Sequence, residues 1–273
     1  MTRNLQGRRI LITGASSGIG RCLAQQLAAA GSRLVLASRS EDRLHHVAGT
    51  LAKPPSDVLV VPTDITRESD QQNVLDQAST HFGGLDVLIN NAGVASWAHF
   101  ADSAEALLRQ IMEVNFFAPA ELLRKAIPLL VKGDQPAVVN IASMCGRRAM
   151  PAWSEYSASK YALCGLTEAL RAELARFEID VLLMVPGLTR SDFSQHFLRS
   201  EGRAQIDFAG GMPPEKVAAR IVRSLTRNRT ETVIGRDARW MLLVNKFFPR
   251  LVDYLLARKV RKLSASDEAS RAA

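Results

Sequence analysis

Cysteine is scarce in this sequence. Its 273 residues include three Cys, namely Cys22, Cys145 and Cys164, and no two of them form a CxxC pair. An odd number of Cys without paired spacing excludes a disulfide framework and gives no support to a zinc site. We therefore expect three small buried side chains, no bound metal and a reducing, cytoplasmic setting.

Long hydrophobic runs are also missing. The charged N-terminus leads into an apolar run at residues 10–12, which is far too short for a signal-peptide core or a transmembrane helix. Hydrophobic residues make up 47% of the chain and charged residues 23%, which excludes disordered, collagen-like and coiled-coil proteins. Because no repeat or linker interrupts it, we expect one domain over residues 1–235, followed by an extension over 236–273.

Acidic residues are outnumbered by basic ones. The chain has 35 Lys and Arg against 27 Asp and Glu, which gives a formal charge of +8. Such a charge admits nucleic acid, an acidic membrane surface or a phosphorylated ligand as a partner. Residues 236–262 alone hold eight basic and two acidic side chains, or +6 of the total. Because the remainder is nearly neutral, we expect no nucleic-acid partner.

What the chain does have is an alternation of short β-branched runs with longer amphipathic stretches. Most of the runs are apolar throughout, as expected for strands covered on both faces. Predicted strands cover residues 9–13, 33–37, 57–61, 87–90, 137–141, 180–185 and 232–234, and predicted helices cover 19–30, 41–51, 68–82, 104–131, 153–177 and 214–228. Strand followed by helix, repeated six times, predicts an α/β fold with a doubly wound, seven-stranded parallel sheet.

A glycine-rich turn, TGxxxGxG over residues 13–20, follows the first predicted strand. Gly14 permits a tight turn, Gly18 a close backbone approach to a pyrophosphate, and Gly20 close packing of helix on strand. The helix N-terminus offers free N–H groups and a positive dipole end to an anion. The turn could simply connect strand to helix, but its position favours a dinucleotide site. The predicted contacts are Gly14, Ser16, Ser17, Gly18, Ile19 and Gly20.

The end of the second predicted strand distinguishes between cofactors. An acid there bonds the ribose 2′-hydroxyl of NAD, whereas an Arg pairs with the 2′-phosphate of NADP. This sequence has Arg39 between two Ser residues. Glu41 and Asp42 follow, but acids are favoured in the first turn of a helix, here with Ser40 as its N-cap. Although Arg39 could be a solvated surface residue, we expect NADP(H) to be favoured over NAD(H).

Further motifs follow in order along the chain. They are Asn90-Asn91-Ala92-Gly93 after the fourth strand, Asn115 in the long helix, Ser143 after the fifth strand, the YxxxK pair Tyr156 and Lys160, and Pro186-Gly187 after the sixth strand. With TGxxxGxG, these motifs resemble those of the short-chain dehydrogenase/reductase family, in its type of about 250 residues. The resemblance covers roughly residues 7–235. It implies a single Rossmann-type domain and an oxidoreductase with a nicotinamide cofactor.

The residue types of the YxxxK pair suggest a mechanism. Tyr156 and Lys160 are four positions apart on a predicted helix and share a face. The pKa of a free Tyr, about 10, is too high for acid–base work at neutral pH, and we expect the Lys160 ammonium to lower it. Tyr156 would then exchange a proton with a carbonyl or alcohol oxygen, to which Ser143 would also hydrogen-bond. By resemblance, Lys160 also holds the nicotinamide ribose and Asn115 positions a water.

The resemblance implies further cofactor contacts. Asp64 would face the adenine, with a role in a turn as the alternative. In the family pattern PGxVxT, Thr189 here replaces the aliphatic residue and Ser191 stands where Thr is common. The cofactor contacts implied in this way are Asp64, Ile65, Asn91, Ala92, Gly93, Tyr156, Lys160, Pro186, Gly187, Thr189 and Ser191.

The substrate side of the sequence is apolar. A flap is predicted over residues 191–212, and Trp97, Met150 and Trp153 are candidates for the opposite wall, although such residues also fill ordinary cores. The large apolar residues of the predicted flap are Phe193, Phe197, Leu198, Phe208 and Met212. We expect a hydrophobic ketone, aldehyde or alcohol as the substrate.

The basic extension over residues 236–262 is interleaved with apolar and aromatic residues. Pro249 divides it into two short amphipathic helices, and a polar tail is expected after Ser264. Such a segment can make peripheral contact with a membrane, pack on a subunit partner, cover the substrate entrance or pack on its own domain. It is too short to span a bilayer. The family resemblance implies a homodimer or homotetramer.

Other functions are open on the same fold. The chain could be a cofactor-binding protein without turnover, a membrane-surface protein, or an isomerase or dehydratase. The complete set of Asn115, Ser143, Tyr156 and Lys160 favours an enzyme, because a protein without turnover has no need of it.

Overall fold

The computed structural model describes residues 2–52, 54, 57–190, 197–200 and 210–272. The strands are β1 (Arg9–Thr13), β2 (Arg33–Ser38), β3 (Val58–Pro62), β4 (Val87–Asn90), β5 (Ala95–Trp97), β6 (Ala137–Ile141), β7 (Asp180–Pro186), β8 (Phe197–Ser200) and β9 (Glu231–Ile234). The α-helices are α1 (Gly18–Ala29), α2 (Glu41–Gly49), α3 (Glu68–Phe82), α4 (Glu105–Met112), α5 (Ala118–Leu130), α6 (Ser154–Glu173), α7 (Pro214–Thr226), α8 (Arg236–Phe247) and α9 (Pro249–Ala272).

Seven of these strands form one parallel sheet in the order β3-β2-β1-β4-β6-β7-β9. Strand β1 pairs with β2 on one side and β4 on the other, and its Leu11 lies between Val35 and Leu88. Along the chain, β2 and β3 are added on one side of β1, and β4 then pairs with the other side of β1. This reversal creates a crevice at the carboxyl ends of β1 and β4, where ligands of open α/β sheets bind. The predicted doubly wound α/β fold is confirmed.

Alternate residues of each strand bury opposite faces of the sheet, as the period of a strand requires. On one face, Ile10 and Ile12 of β1 pack with apolar residues of α1, α2 and α7. On the other face, Leu11 packs with α3 and α5. Helix α6 covers β7 through Leu163 and Cys164. As expected, all three Cys are buried and free.

Two features of the structure were not predicted. The first is a two-stranded parallel sheet of β5 and β8 beside the crevice. The second is a π-helical turn over Glu113–Phe117, which lies within the single long helix predicted for residues 104–131. A three-residue strand and a local change in helix winding leave little trace in hydrophobic periodicity.

The C-terminal extension forms the two helices expected on either side of Pro249. Helix α9 is longer than predicted, because it continues to Ala272 where a polar tail was expected after Ser264. Ala238 of α8 and Val252 of α9 are buried. Within the described ranges, we find no helix with the length and apolarity needed to cross a membrane.

Candidate active site

A cavity of about 810 Å³ occupies the crevice at the carboxyl ends of the strands. It reaches from the glycine-rich turn to the N-terminal end of α6. Most of the residues predicted from sequence lie on its wall. These are Gly14, Ser16, Ser17, Gly18, Ile19, Arg39, Asp64, Ile65, Asn91, Ala92, Gly93, Ser143, Tyr156, Lys160, Pro186, Gly187 and Thr189. Gly20 and Asn115 lie behind the wall, and Ser191 is outside the described residues.

The glycine-rich turn is packed too tightly to carry side chains. Gly14 has a φ of +65°, and a Cβ there would lie 2.9 Å from the Cα of Ala92. A Cβ on Gly20 would lie 2.1 Å from the carbonyl oxygen of Gly14. The Asn91 side-chain amide donates to the carbonyls of Thr13 at 2.9 Å and Gly14 at 3.1 Å. The turn is therefore a fixed backbone surface braced by the end of β4.

The N-terminus of α1 points its backbone amides into this turn. Ser17 is the N-cap residue, but its side chain makes no capping hydrogen bond. The N–H groups of the first helical turn therefore lack the partner that an N-cap side chain commonly supplies. With the positive end of the helix dipole, these N–H groups can hold a phosphate. A dinucleotide pyrophosphate fits this donor set.

Two basic side chains lie where β2 leads into α2. Arg39 and Arg43 are both exposed and both line the cavity. Ser38, which precedes Arg39, has a buried hydroxyl oxygen without a hydrogen-bond partner in the described part of the chain. The described wall at this end therefore has two guanidinium groups and a free hydroxyl group.

Asp64, at the end of β3, supports a turn of the backbone as well as lining the cavity. Its Oδ1 accepts hydrogen bonds from the amide of Thr66 at 3.0 Å and from the Thr66 hydroxyl at 2.8 Å. Partial burial acts to raise the pKa of Asp64, but the bonds from Thr66 and the charges of Arg39 and Arg67 outweigh it and hold the pKa below its usual value. Asp64 is therefore an anion that faces the cavity close to Arg39.

Tyr156 and Ser143 meet at the other end of the cavity. Tyr156 lies in the first turn of α6, and Ser143 lies at the end of β6, where its Oγ accepts a hydrogen bond from the amide of Cys145 at 3.1 Å. Burial, with a smaller effect of the Cys145 thiol, raises the pKa of Tyr156 above its ordinary value, and a hydrogen bond with Ser143 opposes this rise. The phenol is therefore protonated at neutral pH.

Lys160 lies one turn after Tyr156 on α6. Its Nζ donates to the carbonyl oxygen of Ile141 at 3.1 Å and lies 5.7 Å from the centroid of the Tyr156 ring. Burial lowers the pKa of Lys160 to about 8. The expected fall in the pKa of Tyr156 is not found in this structure, because desolvation of the phenol outweighs the opposing interactions.

Asn115 is fully buried at the centre of the π-helical turn. Its Oδ1 accepts from the Val94 amide at 2.9 Å, and its Nδ2 donates to the Val94 carbonyl at 2.9 Å and to Ser159 Oγ at 2.9 Å. Ser159 Oγ in turn donates to the carbonyl oxygen of Tyr156 at 2.7 Å. A π-turn widens one turn of a helix, which changes the direction of a side chain there, and such turns are often found at functional sites. Here it joins the segment after β4 to α6.

Aromatic rings form the wall beside Tyr156. Trp153 packs edge-on against Tyr156, Trp97 and Phe197, with ring centroids 5.2, 5.5 and 5.4 Å apart. Met150 and Leu198 also line the cavity. Of the other predicted flap residues, Met212 packs against the core, and Phe193 and Phe208 lie outside the described residues. The apolar wall continues the cavity beyond the Tyr156 hydroxyl.

Several polar residues around the site were not predicted. Asn90 donates to Asn140 at 2.8 Å, and Asn140 donates to Thr167 at 2.9 Å, so a buried chain of side chains ties β4 and β6 to α6. Ser159 belongs to a similar link. The sequence did contain a signal for these residues, because they are polar at positions that the apolar pattern assigns to the core. Buried polar groups need hydrogen-bond partners, so such positions predict buried links of this kind.

Comparison with known proteins shows the family. The family model described as short chain dehydrogenase matches residues 8–202. The chain belongs to the short-chain dehydrogenase family. It is therefore an oxidoreductase of that family, and the resemblance given by the sequence motifs is confirmed. Among the described residues of this dehydrogenase, no group of three or more His, Cys, Asp or Glu is placed to hold a metal ion.

Relatives and solved structures agree with this assignment. The chain is 31% identical to a dehydrogenase/reductase SDR family protein 7-like from Drosophila melanogaster, covering 97% of this chain and 84% of that protein. It is 36% identical to an 11-beta-hydroxysteroid dehydrogenase-like 2 from Arabidopsis thaliana, covering 93% and 82%. The crystal structure of a short-chain dehydrogenase/reductase from Burkholderia phymatum in complex with NAD matches with a TM-score of 0.83 and 26% identity, covering 91% and 96%.

A further similar structure has a named activity. The 3-ketoacyl-(acyl-carrier-protein) reductase from Brucella melitensis, complexed with NADH, matches with a TM-score of 0.75 and 27% identity. The match covers 85% of this chain and 99% of that one.

Proposed function

We propose that the protein is an NADP(H)-dependent oxidoreductase that interconverts an apolar ketone or aldehyde with the corresponding alcohol. The observation that carries the proposal is the hydrogen-bonded pair of Ser143 and Tyr156, which shares one cavity with the phosphate-binding turn. When bound, the cofactor supplies or takes up the hydride.

Tyr156 is the proton donor and acceptor in this proposal. Its raised pKa keeps the phenol protonated at neutral pH, which is the form that donates to the oxygen of a carbonyl substrate. Ser143 donates a second hydrogen bond to the same oxygen and stabilises the negative charge that develops there. A preorganised donor of this kind contributes about 3 kcal/mol to the stabilisation of a transition state.

Lys160 and Asn115 support Tyr156 in different ways. The Lys160 Nζ lies at the back of the cavity, where it can donate to a cofactor ribose hydroxyl and return a proton toward Tyr156. Asn115 holds α6 in position through Ser159, a positioning role that adds to the water-binding role implied by the family resemblance.

NADP is favoured over NAD because of the charges at the end of β2. The cavity there has Arg39 and Arg43, whose guanidinium groups match a 2′-phosphate, and the acid that would bond a 2′-hydroxyl is missing at that strand end. Two of the similar solved structures carry NAD and NADH, so these neighbours give no support to NADP. The preference therefore rests on this chain's own residues.

An apolar substrate is favoured by the wall of Trp97, Met150, Trp153 and Leu198. The names of two relatives agree with a carbonyl or hydroxyl compound of this kind, an 11-beta-hydroxysteroid dehydrogenase-like protein and a ketoacyl reductase from Nostoc that is 30% identical.

A screen of substrates tests the proposal. NADPH oxidation is followed by its absorbance over a panel of apolar ketones, aldehydes and quinones, with NADH in parallel. We expect turnover with at least one carbonyl compound and a higher kcat/KM with NADPH. Substrate conversion without net oxidation of NADPH would point to an isomerase or dehydratase and contradict the proposal.

The proposal extends to the organisation of the protein. Residues 1–235 form the catalytic domain and 236–273 an appendage, since the site residues named above all precede Arg236. A homodimer or homotetramer follows from the family resemblance, and three free thiols suit a reducing cytoplasm. Sedimentation velocity of the full chain measures the oligomeric state.

A further inference from the structure

Helices α8 and α9, with Phe248 between them, expose most of the large apolar side chains that are exposed in the described part of the chain. Twelve such side chains are exposed there, and seven of them lie between residues 240 and 255. Trp240 is 67% exposed and Phe247 63%. The seven are Trp240, Leu243, Phe247, Phe248, Leu251, Tyr254 and Leu255. Scattered exposed apolar residues are ordinary, but a concentration of this kind marks an interaction surface.

The apolar side chains of α8 follow helical spacing, and a basic residue continues the row. Arg236, Trp240, Leu243 and Phe247 are three or four positions apart and so share one face. All four side chains are exposed. Lys246 lies beside them, with its Nζ 5.7 Å from the centroid of the Phe247 ring.

Helix α9 repeats this arrangement. Leu251, Tyr254 and Leu255 are exposed on one face, and Arg258 and Lys262 extend the same face by two turns. We call the exposed faces of α8 and α9 together the C-terminal surface. This surface combines apolar side chains with cationic ones at the ends of their rows. Residues 236–262 contain eight basic residues against two acidic ones.

The opposite faces of both helices hold them to the catalytic domain. Ala238 is buried against the segment around Gly187, and Val252 is buried on α9. The Asp253 carboxylate pairs with Arg148 at 2.6 Å, so one of the two acidic charges of the segment is already neutralised. The C-terminal surface is therefore fixed in position with its apolar side chains turned outward.

We infer that the C-terminal surface binds the face of a lipid bilayer that contains anionic headgroups. Exposed Trp, Phe, Tyr and Leu side chains enter the boundary between headgroups and acyl chains, and Lys and Arg pair with the phosphates. A second copy of the chain is a poorer occupant, because a symmetric dimer through this surface would bring two segments of charge +6 together.

The bilayer would lie beside the entrance of the active-site cavity. Lys259, on α9, lines the cavity, and Asp253 on the same helix is paired with Arg148, close to Met150 of the apolar wall. If the proposed function holds, an apolar substrate dissolved in the bilayer reaches the cavity without crossing bulk water. This last step rests on the proposed function, whereas the binding itself does not.

Vesicle co-sedimentation of the full chain, without cofactor or substrate, tests the binding. We expect the protein to pellet with vesicles of phosphatidylcholine and phosphatidylglycerol, to pellet much less with phosphatidylcholine alone, and to be released as salt is raised. Trp240 fluorescence should shift to shorter wavelength with the anionic vesicles, and Trp240→Phe should remove the shift while keeping the binding. Equal pelleting with and without vesicles would overturn the inference.

Variants separate the two kinds of contact. Trp240→Ser with Phe247→Ser should weaken binding about tenfold or more, through lost apolar burial. Arg258→Ala and Lys262→Ala should each weaken it about fivefold, and only on anionic vesicles. Val131→Ser, which changes an exposed apolar residue just after α5, is the matched control and should bind as the unaltered protein does.

Two outcomes with these variants would overturn the inference. The first is unaltered binding both by the variant that combines Trp240→Ser with Phe247→Ser and by the single variants Arg258→Ala and Lys262→Ala, each with an unaltered melting temperature. The second is conversion of an oligomer to a monomer by Trp240→Ser with Phe247→Ser in the absence of vesicles, which would make the surface a subunit interface. NADPH oxidation is measured separately, so a failure of the proposed function leaves the binding result intact.

Discussion

Asn115 and Ser159 are joined by a hydrogen bond of 2.9 Å from the amide of Asn115 to the Ser159 hydroxyl. Ser159 lies between Tyr156 and Lys160 on α6 and donates to the carbonyl oxygen of Tyr156 at 2.7 Å. The π-helical turn around Asn115 is therefore connected to the backbone that carries the proposed acid–base residue. The two hydrogen bonds of Asn115 to Val94 extend this connection to the segment after β4.

Replacing Asn115 tests this connection. Asn115→Ala leaves the amide and carbonyl of Val94 without their partner and removes one of the two hydrogen bonds of the Ser159 hydroxyl. Each buried unsatisfied group costs about 1–3 kcal/mol. We expect the free energy of unfolding, measured in urea, to fall by about 2 kcal/mol or more. Ser159→Ala removes one bond of Asn115 and should cost less. An Asn115→Ala variant as stable as the unaltered protein would contradict the structural role.

The glycine-rich turn gives a second prediction. Gly20→Ala would place a methyl group 2.1 Å from the Gly14 carbonyl oxygen, so the turn must shift. We expect NADPH affinity, measured by fluorescence titration, to fall about tenfold or more, because the donors of the α1 N-terminus move away from the phosphate. Gly49→Ala is the matched control, since a Cβ on Gly49 meets nothing within 4 Å. Equal affinities for both variants would contradict the prediction.

The pKa of Lys160 gives a prediction for stability. Burial lowers this pKa from 10.5 to about 8, so between these pH values the unfolded chain binds more protons than the folded one. The penalty for burying Lys160 is fully present below pH 8 and disappears as the pH rises toward 10.5. Relative to Lys160→Met, the unaltered protein should therefore gain about 3 kcal/mol of stability across this range.

Urea denaturation of both proteins at a series of pH values measures this difference. The absolute stability of each protein also changes with other groups, which both share, so the difference is the quantity that reports on Lys160. A difference independent of pH would mean that Lys160 keeps an ordinary pKa in the folded protein.

Arg39 tests the choice of cofactor. Arg39→Asp replaces a partner of the 2′-phosphate by an anion that repels it, so the NADPH affinity should fall about tenfold or more while the NADH affinity changes little. Arg33→Asp changes a basic residue at the opposite end of β2 and should leave both affinities unchanged. Equal losses of NADPH and NADH binding in Arg39→Asp would remove Arg39 from the 2′-phosphate site.

The fold was readable from the sequence because its main sheet is buried on both faces. Continuous apolar runs such as residues 10–12 and 34–37 mark such strands, and the glycine-rich turn marks where the crevice lies. The strand β5 and the π-turn at Asn115 were not readable, because they depend on contacts with distant parts of the chain. Trp97 of β5, for example, packs on Trp153.

The candidate site was predictable in its residues but not in its electrostatics. Ser143 follows β6, and Tyr156 and Lys160 lie near the start of the next helix, α6. The sequence therefore indicated that all three lie at the edge of the sheet where the carboxyl ends of its parallel strands meet. The pKa of Tyr156 was expected to fall because a neighbouring charge was considered without burial. Desolvation depends on packing by residues such as Ala95 and Cys145, which lie outside the local sequence around Tyr156.

The role of Tyr156 is tested most directly by removing its hydroxyl group alone. With a carbonyl substrate identified in the screen, Tyr156→Phe should bind NADPH with unchanged affinity and lose turnover by a factor of about 10² or more. Tyr161→Phe, which alters an exposed Tyr on the same helix, should keep full activity. Turnover retained in Tyr156→Phe would contradict the proposed acid–base role.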